Sequence, residues 1–233
     1  TWPTFGGSDA AIALNMTYRA DPELGKLMAN KDFRIALSLA VNRDQIRESV
    51  FLGLGESRQS VPAPWHPYFP GKEYEKRFTE FDRARANALL DGIGLNRRNP
   101  QGIRLMADGR PATIEISVVP AFGAWPDVAQ LVAKDWEAVG VRTIVQIRER
   151  ALHFTMRDAN ELQAEIWNND STAFPFTGNA KADVRASPIL TTGPLWGRPV
   201  WNTWWTWDAR LTYTLILWLV FAAYQLVRPF AGE

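Results

Sequence analysis

An α/β fold with a mixed or parallel sheet, followed by one C-terminal transmembrane helix, is what this sequence predicts. Two observations carry the prediction. Between Ile114 and Trp167 strand-like and helix-like periodicities alternate in the order β-α-β-α-β, which normally yields a parallel sheet with right-handed crossovers. Near the carboxyl end, Leu211 to Val227 reads LTYTLILWLVFAAYQLV, 17 residues without a charge. At helical rise that run covers about 25 Å, slightly under a hydrocarbon core of about 30 Å.

From Asn30 to Phe51 the spacing is helical, with Phe33, Ala36, Leu37, Ala40 and Val41 forming one apolar stripe. Asn42 interrupts it and is suited to cap a second helix, with Gln45 three positions on, and Gly53 can supply a left-handed end. The next stretch, VPAPWHPYFP, carries Pro62, Pro64, Pro67 and Pro70; lost donors and fixed φ make it a surface loop. Asp82 caps a helix over Arg83 to Leu90, ended by Gly92 or Gly94, and Ile103 to Met106 reads as a strand before an Asp108-Gly109 hairpin turn. Ile114, Ile116 and Val118 alternate with Thr113, Glu115 and Ser117, the period of a strand with one buried face. Val128, Leu131, Val132, Trp136 and Val139 share a helical face from about Pro126 until Gly140. A β-branched strand over Val141 to Ile147, a helix over Arg150 to Asn160 and a last strand, Ala164 to Trp167, complete the series.

Composition excludes several classes. Twenty-six basic residues against 25 acidic ones leave a net charge of +1, so no electrostatic footprint for nucleic acid exists. Cysteine is absent, which removes disulfides and thiolate sites. His66 and His153 are the only histidines, far apart and without metal-ligand spacing, so no protein-built metal site is expected. Trp65 and His66 are expected to pin the proline-rich loop to its own domain rather than to line a cleft. No Ser/His/Asp order, P-loop or dinucleotide glycine pattern stands out, and Glu149, Asp158 and Glu161 sit among arginines as solvated helix faces do. A non-enzymatic protein is expected. The opening TWPTFGGSDA has neither an initiator Met nor a basic-then-apolar leader, and is read as a processed end or an interior start.

Four segments together resemble the family 5 extracellular solute-binding proteins of ABC importers. They are NKDFRIALSLAVNRDQIRESVFLGLGES, FDRARANALLDGIGL, GIRLMADGRPATIEI and ERALHFTMRDANELQAEIWNND, in the family's order and approximate spacing. The resemblance runs from Leu14 to about Pro175, roughly two thirds of the chain. It implies a partial lobe of the type II periplasmic-binding-protein kind over residues 1–175, and as partners a peptide or other small solute and ABC permease subunits. It also implies a ligand-facing aspartate three positions after a Trp, here Asp170 after Trp167, both taken as ligand-binding. An ionised carboxylate suits that role because it only accepts and forms a short charge-assisted bond to a peptide ammonium. The alternative for Asp170 is a solvated loop aspartate.

Six of the eleven tryptophans lie in the last 38 residues. FTGNAKADVRAS, 176–187, reads as a linker, 188–210 as a Trp-rich interfacial segment, and 211–228 as the membrane helix. Arg210 and Arg228 flank that helix, while Trp207 and Tyr224 are placed as interfacial anchors in a lipid bilayer. A buried soluble helix is the alternative. With the lobe outside the cytoplasm, the span runs inward and the carboxyl end is cytoplasmic, Arg228 lying on the side that positive residues prefer.

The stretch LTTGPLWGRPVWNTWWTWDARLT resembles the WWD segment of cytochrome c maturation proteins that handle haem at the outer membrane face. It implies an aromatic platform of Trp201, Trp204, Trp205, Trp207 and Asp208 against a porphyrin. Asn202 departs from the family, which usually has Gly there, and the alternative is an aromatic belt at a bilayer interface. Three functions follow: a membrane-tethered peptide-binding component of an importer, a haem-handling assembly protein, or an accessory subunit of a larger membrane complex.

Overall fold

The computed structural model describes residues 10–62, 64, 69–120 and 123–168. The expected linker, Trp-rich segment and span at 176–228 lie outside the described residues, as does Asp170. Among the described residues no helix is long and apolar enough to cross a membrane.

The elements run β1 (Ala11–Leu14), α1 (Pro22–Ala29), α2 (Lys31–Ala40), α3 (Arg43–Phe51), α4 (Lys72–Glu75), α5 (Arg83–Gly92), β2 (Thr113–Val118), α6 (Trp125–Ala138), β3 (Arg142–Ile147), α7 (Arg150–Asp158) and β4 (Ala164–Trp167). The four strands form one sheet in the order β1-β4-β2-β3. β2 is parallel to β3 and to β4, whereas β1 pairs antiparallel with β4. The sheet is therefore mixed, and the β-α-β-α-β expectation describes its parallel part. The chain steps from β2 outward to β3, then back across β2 to β4. Right-handed crossovers in opposite directions put their helices on opposite faces.

On one face Ile114, Ile116, Val118 and Ile166 join Val128, Val132 and Trp136 of α6 and Phe33, Leu37 and Ala40 of α2 in the core. The Trp136 indole donates to the Leu37 carbonyl at 3.1 Å, tying α6 to α2. The break at Asn42 is as expected: its side chain accepts from the Gln45 amide at 3.1 Å. At the other end of α3, Leu52 itself takes the left-handed conformation at φ 54°, ahead of Gly53. Asp82 caps α5 through the Arg85 amide.

Two expectations are corrected. Ile103 to Met106 is not a strand, because its backbone bonds alternate between separate partners: Arg104 donates to Gly140, Leu105 to Arg97 and Met106 to Arg110. Only isolated bridges, Arg98 with Arg104 and Leu105 with Pro111, result, although the Asp108-Gly109 turn forms with Gly109 at φ 84°. Nor does β2 have one buried face, since Ser117 is 1% exposed beneath α7. A strand flanked by parallel neighbours and covered by crossover helices is enclosed on both sides.

Candidate functional site

Successive side chains of a strand point to opposite faces, so Ser117 on β2 and Glu165 and Trp167 on β4 turn away from the α6 core toward α7. Glu149 starts α7, its carboxylate accepting from the Ala151 and Leu152 amides. One turn on, His153 and Arg157 stand at i and i+4 and so share a face. That face meets the sheet. His153 Nδ1 lies 2.9 Å from Ser117 Oγ and His153 Nε2 lies 2.8 Å from Glu165 Oε2. Arg157 pairs with Glu165 at 3.4 Å.

Ser117, His153 and Glu165 thus stand in the order of a nucleophile, base and acid. All three are buried, with none more than 2% exposed. A catalytic serine must touch its substrate, and Ser117 is enclosed in this structure. A carboxylate only accepts, so Nε2 donates to Glu165, while the Ser117 hydroxyl, which can donate or accept, satisfies Nδ1.

Above the imidazole lies Trp167, its ring stacked on His153 at 5.5 Å and 19°. Phe154 and Trp125 meet the indole edge to face at 5.1 and 5.3 Å. The Arg157 guanidinium sits 5.3 Å over Trp167 and 4.4 Å over Phe154. The cluster gathers at the carboxyl end of β4 and the amino end of α6, the edge of a parallel sheet where ligands of α/β folds bind. Beside it, Arg148 at the end of β3 pairs with Glu115 at 2.6 Å.

Of the two ligand residues read from the sequence, Trp167 lies in this cluster as the last residue of β4. Asp170 lies three positions on, outside the described residues, as do the haem-contact candidates Trp201, Trp204, Trp205, Trp207 and Asp208. The Trp65 and His66 expectation also falls outside them. Both nitrogens of His153 are engaged, so that imidazole is closed to a haem iron. Among the described residues no group of three or more His, Cys, Asp or Glu could hold a metal ion. The relay of Ser117, His153, Glu165 and Arg157 was missed in the sequence reading. Its one local signal is the His153-x-x-x-Arg157 spacing.

The family model described as bacterial extracellular solute-binding proteins, family 5 Middle, matches residues 6–181. That for Heme exporter protein C matches residues 158–230. The two overlap across β4, which hydrogen-bonds between β1 and β2 and thus belongs to the lobe. Among solved structures, the oligopeptide-binding protein OppA superposes with a TM-score of 0.68 at 38% identity, covering 74% of this chain and 27% of its own. NikA from Brucella suis, in complex with Fe(III)-EDTA, gives a TM-score of 0.60 at 22% identity over 77% of this chain and 34% of its own, a likeness of fold. Heme exporter protein C of Paracoccus denitrificans (strain Pd 1222) is 57% identical over 51 residues, 20% of this chain and 21% of the relative. That of Bradyrhizobium diazoefficiens is 66% identical over 32 residues, 14% and 12% respectively. The chain spans 27% of OppA and 21% and 12% of these two curated relatives.

Proposed function

The chain belongs to the bacterial extracellular solute-binding proteins of family 5, and we propose that its lobe is a non-enzymatic, peptide-binding component of an ABC import system. The observation that carries the reading is the ordered Trp167 cluster at the carboxyl end of β4. It offers a flat apolar wall three residues before the carboxylate of Asp170, which suits a peptide ammonium. The 38% identity to OppA supports a peptide over other solutes. In this reading the lobe faces the extracytoplasmic side, residues 211–228 tether it to the membrane with the carboxyl end cytoplasmic, and permease subunits are its partners.

The test is thermal unfolding of the detergent-solubilised full chain with trialanine. A ligand held only by the folded state stabilises by about 2.7 kcal/mol at a hundredfold excess over Kd, so the midpoint must rise. Asp170→Ala should abolish the rise. An unchanged midpoint in the wild-type chain at millimolar trialanine argues against this reading.

The identity to Heme exporter protein C, 57% over 51 residues, favours a second reading in which Trp201, Trp204, Trp205, Trp207 and Asp208 contact haem. Tryptophan supplies broad apolar area with one donor for a propionate. Haem added to the purified chain should give a Soret band that the Trp204→Ala, Trp205→Ala double variant lacks. A spectrum matching free haem in detergent counts against it.

A further inference from the structure

We propose that His153 is a positioning residue for the ligand wall: locked at both ring nitrogens, its imidazole fixes the plane of the Trp167 indole. The inference rests on the solute-binding reading given above. It begins with burial. His153 is 0% exposed, and a buried polar ring is costly unless both its nitrogens are bonded. They are, to Ser117 at 2.9 Å and Glu165 at 2.8 Å, from two adjacent strands. A ring anchored at two points cannot turn about its Cβ–Cγ bond, whereas a phenyl ring in the same space can.

The locked ring then acts on Trp167. The 19° stack at 5.5 Å presents one imidazole face to the indole, while Phe154 and Trp125 close on it at 67° and 62°. Edge-to-face and offset contacts of this kind are favoured ring geometries, and three of them together hold one rotamer against its alternatives. The charged neighbours are themselves paired. Glu165 faces the imidazole from β4 and is paired with Arg157 from α7, while Glu115 of β2 pairs with Arg148 at the end of β3. Each carboxylate thus has its own guanidinium. Trp167 is the last residue of β4, paired with Ala11 of β1, and the imidazole supports its ring from beneath. A ligand that stacks on a pre-set wall does not have to order it, which raises affinity without any added contact.

The experiment uses the full chain in detergent, labelled with 5-fluorotryptophan, with the Trp167 fluorine resonance assigned by Trp167→Phe. Two variants separate the lock from the stack. Ser117→Ala frees Nδ1 and leaves the ring; His153→Phe keeps a stacked ring and removes both bonds. Because His153→Phe removes the imidazole bonds of both Ser117 and Glu165 in the interior and can unfold the lobe, Ser117→Ala carries the decision, with the Trp136 resonance reporting an intact core. The expected result is a Trp167 resonance that broadens or moves more than any other tryptophan signal. Trialanine affinity should fall several-fold, and Ser117→Thr, which keeps the hydroxyl, should restore both. An unmoved Trp167 resonance in Ser117→Ala overturns the proposal, and so does a moved resonance with unchanged trialanine affinity. If wild-type protein does not bind trialanine, the peptide reading fails while the resonance still decides whether His153 orders Trp167.

Discussion

Replacing Arg104 by methionine should destabilise the lobe by about 3 kcal/mol, and the figure follows from which acceptors lose their only donor. The side chain is 1% exposed. Its guanidinium donates to the Val139 carbonyl at 2.7 Å, to Asn87 Oδ1 at 2.7 Å, to Asp91 at 2.5 Å and to the Leu95 carbonyl. Asp91, Leu95 and Val139 stand at or just beyond the carboxyl ends of α5 and α6, where helix carbonyls lack intrahelical partners, and Asn87 reaches in from the middle of α5. Methionine keeps the aliphatic stem and removes all four bonds. Arg98 also reaches Val139 at 3.3 Å and Asn87 Oδ1 at 2.9 Å, and Asp91 is 54% exposed and can turn to water. Among the described residues the Leu95 carbonyl has no such second donor, and it bears the full desolvation cost of about 1–3 kcal/mol. Charge-assisted bonds lost elsewhere add to it, and relief of the guanidinium's own burial subtracts. Urea unfolding of the full chain, followed by circular dichroism, measures the result. A cycle with Arg98→Ala sharpens it: the double variant should lose about 1 kcal/mol more than the sum, because Val139 and Asn87 are then bare. A loss under about 0.5 kcal/mol for Arg104→Met, or strict additivity in the cycle, would refute the reasoning.

Asp21, held by Arg110 at the start of α1, has its carboxyl lowered from 3.8 to about 2, chiefly by the Arg110 hydrogen bond and further by the Leu24 and Glu23 amides, against desolvation. A depressed folded pKa gives stability that is present above about pH 4 and lost as pH falls through about 2. Arg110 is half exposed, so solvent screening limits the contribution to about 1 kcal/mol. Asp21→Asn keeps an N-cap, and its deficit in urea midpoint should be full at pH 5 and gone at pH 2; a deficit independent of pH rules the ion pair out as its source. Asp135, 4% exposed on α6, accepts the Asn42 amide at 2.8 Å and Arg83 at 2.9 Å. Asp135→Ala should cost about 2–3 kcal/mol and open the amino end of α3, seen as faster hydrogen exchange at Asn42; unchanged exchange there would contradict the link. Gly140 lies at φ 89°, and a Cβ there would come within 2.9 Å of Arg104 Cγ, so Gly140→Ala should cost more than about 1 kcal/mol in the same unfolding assay.

What the sequence made legible was local. The stripe of Phe33, Ala36, Leu37 and Ala40, the cap at Asn42 and the limits of β4 each depend on neighbours within a turn or two, and the structure has them where the periodicity puts them. Two features were not legible. β1 reads AIAL, apolar throughout and so without alternation, and exists because Ala11–Leu14 meets the far end of the described chain at Ala164–Trp167. The polar face of the sheet was hidden for a related reason. Ser117 and Glu165 alternate with Ile116 and Ile166 as solvent-facing residues would, and only the return of the chain across β2 brings α7 down on them. His153 then has to be a residue able to bond both, and Arg157 has to answer the charge of Glu165. The alternation correctly marked which side chains avoid the apolar core; that they avoid it for a buried polar network rather than for water is a property of the crossover. The consequence is that the carboxyl end of β4 is backed, beneath Trp167, by an enclosed polar network.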